Sequence, residues 1–144
     1  DAQANIEFRA GGNGWRYVKR GLSHPEPWGT WSTGPEVELE IPGPFPPGDV
    51  VFAIEMRPYL PRPDSKLAVT VVVGGEELQA LQFAAPAQDR TVEVRVAERL
   101  VPTDGPLTLS LRIAGARSPA SLGISADSRA LGVGLIRMAR VAGA

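Results

Sequence analysis

Residues 36–41, EVELEI, alternate strictly: Val37, Leu39 and Ile41 fall on one side, Glu36, Glu38 and Glu40 on the other. A side-chain period of two belongs to a β-strand with one dry and one wet face, and a helix of period 3.6 cannot produce it. The same reading extends to residues 107–113 (LTLSLRI), with Leu107, Leu109, Leu111 and Ile113 in phase, and to 91–97 (TVEVRVA), with Val92, Val94 and Val96. These are half-buried strands of antiparallel sheet. Residues 50–56 (VVFAIEM) and 67–73 (LAVTVVV) are more continuously apolar and are expected to be central strands covered on both sides. Gly74-Gly75 marks a tight hairpin into a strand over about 77–83. An early strand is expected over 4–9, with Ile6 and Phe8 on one face, and a last strand over 132–142.

Between these lie breaker-rich connections: 42–49 (PGPFPPGD), 58–64 (PYLPRPD), 84–89 and 102–106 (PTDGP). Short strands separated by Pro/Gly turns every eight to twelve residues or so indicate a β-sandwich or barrel. Helix is confined to at most one turn near 97–101 or 118–122. No internal repeat or linker interrupts residues 1–144. The expected architecture is therefore all-β, a single antiparallel β-sandwich domain of jelly-roll type.

Composition narrows the function. Fifteen basic against sixteen acidic residues give a net charge of −1, which offers no electrostatic footprint for nucleic acid. No apolar run is long enough for membrane insertion. With no cysteine and a single histidine, thiolate chemistry and histidine-based metal sites lack ligands. A Gly-x-Ser-x-Gly elbow is missing as well, and most acids sit on the wet faces of strands. A non-enzyme is expected.

One stretch stands apart. Residues 24–34, HPEPWGTWSTG, gather His24, Glu26, Trp28 and Trp31 among Pro25, Pro27 and Gly29. Prolines and glycine exclude a helix here. Indole rings beside polar groups are what a sugar needs, since its apolar face stacks on the ring and its hydroxyls hydrogen-bond at the margin. The same residues also suit a plug closing one end of a β-core, and both readings stand at this point. Tyr59, in the proline-rich 58–64 connection, is a further stacking candidate. Later in the chain, 118–135 (SPASLGISADSRALGVGL) places Asp127 and Arg129 in a turn leading to the last strand. Arg129 is expected to grip Glu26, tying the tryptophan segment to that strand. The candidate carbohydrate-binding set is Trp28, Trp31, Glu26, His24, Tyr59 and Arg129. No metal or other cofactor is required. A structural calcium is the alternative, to which Asp127, Asp104 or Glu26 could contribute.

The two motifs PEPWGTWSTGPEVEL (25–39) and SPASLGISADSRALGVGL (118–135) together resemble an uncharacterised jelly-roll accessory domain associated with the C-terminal ends of bacterial membrane glycosyltransferases and other envelope-polysaccharide proteins. The resemblance covers about residues 22–142; Trp28, Trp31, Glu26, Asp127 and Arg129 match its pattern. It implies an extracytoplasmic, periplasmic or cell-surface module that handles polysaccharide or oligosaccharide and adjoins other domains of a larger envelope protein. It supplies no catalytic residue. The expected function is thus a non-catalytic carbohydrate-binding module. The rival is a structural or assembly sandwich, part of a cell-surface or virus-like appendage or of a larger glycosyltransferase.

Overall fold

The computed structural model describes residues 5–141. Its strands are β1 (Ile6–Glu7), β2 (Val18–Arg20), β3 (Thr30–Thr33), β4 (Glu36–Ile41), β5 (Val50–Pro58), β6 (Lys66–Val73), β7 (Glu76–Ala84), β8 (Arg90–Val96), β9 (Leu107–Ala114) and β10 (Leu131–Val141). They form two five-stranded antiparallel sheets. The front sheet runs β1-β10-β5-β8, with β3 also paired to β10; the back sheet runs β2-β4-β9-β6-β7. Among the described residues the helical pieces are single 3-10 turns at Gly14–Tyr17 and Glu98–Leu100. The second is the turn expected near 97–101, whereas 118–122 forms hydrogen-bonded turns.

The alternating segments do what their period requires. In the back sheet Val37 faces Leu111, Leu39 faces Leu109 and Ile41 faces Leu107; Val69, Val71 and Val73 of β6 continue the same rows across β9. In the front sheet Phe52 sits opposite Val94 and Ile54 opposite Val92, with Met138 beside Ile54 on the far side. These side chains meet between the sheets and are almost wholly withdrawn from water. Burying each large aliphatic or aromatic residue contributes about 1.5–3 kcal/mol. Gly74 and Gly75 both adopt positive φ, 61° and 78°, the geometry that a two-residue hairpin between β6 and β7 demands.

Three expectations change. β5 and β6 are interior strands of their sheets, but they are not covered on both sides: Ala53, Glu55 and Arg57 on β5, and Ala68 and Thr70 on β6, are only half-buried on the outer faces. The continuous apolar runs reflect the valines at the strand ends, such as Val51 and Val72, rather than a third layer. β2 and β3 were not foreseen; β3 lies inside the tryptophan segment. The early strand shortens to Ile6–Glu7, and residues 4 and 142 of the expected end strands lie outside the described residues.

The glutamates of β4 occupy the outer face of the back sheet. Arg20 reaches Glu36 at 2.7 Å and Glu38 at 2.9 Å, Lys19 reaches Glu38 and Glu40 at 3.5 and 3.4 Å, and Arg112 lies 3.8 Å from Glu36 and from Glu77. Each such surface pair contributes roughly 0–1 kcal/mol. Their acids are matched to cations, away from the face that carries the tryptophans.

Candidate functional site

The tryptophan segment folds back on itself before it meets the front sheet. Leu22 bridges Ser32, Ser23 N donates to the Trp31 carbonyl at 2.9 Å, and Thr33 N donates to the Gly21 carbonyl at 2.8 Å. At its tip, Glu26 N and Gly29 N donate to each other's carbonyls, at 2.7 and 3.2 Å. Pro27 and Gly29 take the second and fourth places of this four-residue turn, the positions those residues favour. Trp28 is thereby thrown out at the third place.

β3 then pairs with β10, setting Trp31 opposite Gly134. Its inward residues are polar and satisfied: Thr30 Oγ1 donates to the Phe8 carbonyl at 2.5 Å, and Ser32 Oγ accepts from Val133 N at 2.9 Å. Trp31, between them, points outward. Neither Trp28 nor Trp31 belongs to the core between the sheets. They are half-buried on the outer surface of the front sheet, so they plug no end of the core.

The rings form a row. Trp28 and Trp31 meet edge to face with centroids 4.8 Å apart, and Trp31 meets Tyr59 in the same way at 5.7 Å. The Arg57 guanidinium lies over the Trp28 ring, 4.3 Å from its centroid, and is forked onto Asp89 at 2.9 and 3.1 Å. That hydrogen-bonded fork raises the Arg57 pKa and lowers that of Asp89. A guanidinium over an indole is favourable by about 0.5–1 kcal/mol at an exposed site; here it fixes the ring's tilt. Burial, with the nearby Asp127 charge, pushes the Tyr59 phenol upward, so it remains a neutral donor at pH 7.

A polar margin runs beside the row. Arg129 clamps Asp127 through Nε at 3.0 Å and Nη2 at 2.6 Å, and its Nη1 donates to Ser23 Oγ at 3.0 Å. The expected contact with Glu26 is present as an ion pair, Nη1 to Oε2 at 3.7 Å, longer than a hydrogen bond. Asp127, two residues away, is the principal partner. Its carboxylate is already aimed by an Asx turn in which Arg129 N donates to Oδ1 at 3.0 Å. Side chains of Glu26, Asp127 and Arg129 are 29, 27 and 28% exposed, so this is a partly wetted cluster. Exposed His24 stands at its rim, Nδ1 3.4 Å from Ser23 Oγ.

The Arg129 hydrogen bonds hold the Asp127 carboxyl at about 2. Because that lies below the value of a free carboxylate, its stabilising contribution is complete above about pH 4 and disappears as pH falls towards 2. A carbon-13 titration of the Asp127 carboxyl is expected to give a midpoint of about 2, and Arg129→Gln should return it to the ordinary range near 3.9. An ordinary midpoint in the unaltered protein would contradict the clamp.

All six predicted residues therefore share one region, joined by two residues the sequence reading did not single out, Arg57 and Gly134. Arg57 was within reach of the strand period, since it shares the outer parity of β5 with Tyr59 just beyond it. The candidate calcium ligands do not assemble. Both Asp127 oxygens accept from Arg129, Asp104 lies on the separate 102–106 connection, and among the described residues no group of three or more acidic, histidine or cysteine side chains is placed to hold a metal. No helix among them is long and apolar enough to cross a membrane.

This fold is that of the jelly-roll sandwiches found in carbohydrate-binding modules. It is similar to the CBM36-1 domain of a multidomain xylanase from the hindgut metagenome of Trinervitermes trinervoides, with TM-score 0.55, 13% identity and 97% of each chain covered. Weaker similarity extends to a CBM36 module solved with calcium and xylotriose (TM-score 0.46, 11% identity, 87% of this chain and 88% of that one). It extends also to the C-terminal CBM6 of the laminarinase LamC from Zobellia galactanivorans (0.44, 15%, 94% and 97%). Residues 4–142 match the family described as Domain of unknown function (DUF7024), and the chain belongs to that family. No curated protein matches it by sequence.

Proposed function

We propose that this domain is a non-catalytic glycan-binding module, one sandwich that holds a larger extracytoplasmic protein of the bacterial envelope against polysaccharide. The observation that carries the reading is the row Trp28–Trp31–Tyr59. Three aromatic rings from two separate chain segments converge outside the core, on a sheet whose own packing does not need them. They are partly exposed, with Arg57 over the Trp28 ring and Trp31 carried on β3, and are bordered by Glu26, Ser23, His24 and Arg129. Rigid rings beside fixed polar groups bind weakly polar, flat-faced ligands with little ordering cost. The likeness in fold to a xylanase's CBM36-1 domain supports the same reading.

The test is a panel of polysaccharides presented to the isolated domain and to Trp31→Ala. Losing the central ring is expected to weaken the best ligand by about 0.5–1.5 kcal/mol, two- to tenfold or so, while the variant remains folded. Unchanged affinity in a folded variant would overturn the assignment. Capture of no glycan by the unaltered domain would leave the row as a docking face for a neighbouring domain.

A further inference from the structure

The aromatic row opens at Tyr59 into a cleft of about 330 Å³ walled by Tyr59, Arg62, Asp64, Lys66, Arg117 and Leu122. Three cations face it against one carboxylate, in a chain whose net charge is −1. Elsewhere Lys19, Arg20, Arg57, Arg99 and Arg112 each sit against an acid, while Arg16, Arg90 and Arg140 lack one and each lies singly over an aromatic ring. Among the described residues Arg62, Lys66 and Arg117 have no such partner, although Asp64 lines the same cleft. Leaving like charges together and uncompensated opposes folding, and a concave wall concentrates their field.

The arrangement is held by the backbone. Gly115 lets the 115–117 segment lie against β6, where a Cβ would stand only 2.8 Å from the Lys66 carbonyl; Lys66 and Arg117 are thus brought to one cleft. Arg62 N donates to Ser65 Oγ at 2.9 Å, and Arg62 Nη2 donates to the Leu122 carbonyl at 2.6 Å, joining the two loops that line the cleft. That bond engages one of the five guanidinium N–H groups and leaves others for a ligand.

We propose that this cleft receives an anionic group carried by the glycan, so that the ligand of the aromatic row is an acidic polysaccharide. The inference rests on the glycan-binding reading. It follows from Tyr59 belonging to both features: a sugar packed on Trp31 and Tyr59 sets its substituent towards Arg62, Lys66 and Arg117. Arginine forks match carboxylate and sulfate oxygens, and lysine adds a point charge.

The experiment measures affinity for alginate, polygalacturonate and hyaluronan, each beside its carboxyl-reduced form, and for chondroitin sulfate beside its desulfated form. At low salt at least one acidic member is expected to bind tenfold or more tighter than its neutralised twin, and the pair that shows it identifies carboxylate or sulfate as the group read. Raising the salt should erode the preference, as screening shortens the reach of exposed charges. The double variant Lys66→Gln/Arg117→Gln, which keeps the Arg62 bridge, should lose the preference at an unchanged thermal midpoint. Trp31→Ala should weaken both members of a pair alike. Equal affinity for charged and neutralised forms, or a preference intact in the double variant, overturns the acidic-glycan inference and leaves glycan binding standing. Failure to bind every member, charged or neutral, overturns both.

Discussion

Phe52→Ala is expected to lose about 3–5 kcal/mol of unfolding free energy, the range for removing a large ring from a close-packed interior. Phe52 is 1% exposed and lies on β5, an interior strand of the front sheet, with Val94 on one side. Its side chain belongs to the buried core between the sheets, so truncation leaves a cavity in close-packed surroundings. Urea unfolding read by far-UV circular dichroism gives the number. Glu93→Ala, one residue from Val94 but on the exposed face of β8, should stay within about 0.5 kcal/mol of the unaltered protein. Comparable losses in both variants would contradict a core confined between the two sheets.

Gly134→Val bears on the site. A Cβ at position 134 would stand 2.4 and 2.6 Å from Trp28 ring carbons and 3.1 Å from one of Trp31. Glycine inside a strand weakens it unless something must approach closely, and here two indoles do. Valine suits the strand backbone, so its whole effect is steric: the Trp28 ring must leave, or β3 must part from β10. The cost is about 1–3 kcal/mol, as for other overpacked sites. Trp28 should also lose its stacking on Arg57, seen as a red-shifted tryptophan emission from a more exposed ring. A valine variant with unaltered stability and emission would show that the indoles do not rest on β10.

How much of this was legible depended on which residues face inward. Strands such as EVELEI and LTLSLRI declare themselves because their buried positions are apolar. β3 did not, since its inward residues are Thr30 and Ser32, polar side chains whose burial is offset by bonds to the Phe8 carbonyl and Val133 N. A period of hydrophobicity is blind to such a strand. β2 is three residues long with one apolar member, too short to show any period. The site's ingredients were visible as an unusual concentration of rings in 24–34, and Tyr59 joins them through the parity of β5. The choice between Glu26 and Asp127 as the grip of Arg129 was not visible. Both are carboxylates within reach, and what favours Asp127 is a local turn that orients it at a separation of two residues. Glu26 arrives from across the fold and stops at 3.7 Å. The unpaired cations around Tyr59 come from two segments, the connection into β6 and the stretch after β9, brought together by the pairing of β6 with β9.

The chain's three tryptophans allow glycan binding at the aromatic row to be read from three signals. Trp28 and Trp31 form the row, whereas Trp15, 65% exposed in the turn at Gly14–Tyr17, stands apart from it with Arg16 over its ring. Titrating the tightest-binding polysaccharide fragment into nitrogen-15-labelled protein should displace the indole N–H resonances of Trp28 and Trp31 in step, saturating at one affinity, while that of Trp15 stays in place. Movement of Trp15 alone, with Trp28 and Trp31 unperturbed at saturation, would place the glycan elsewhere and contradict the account.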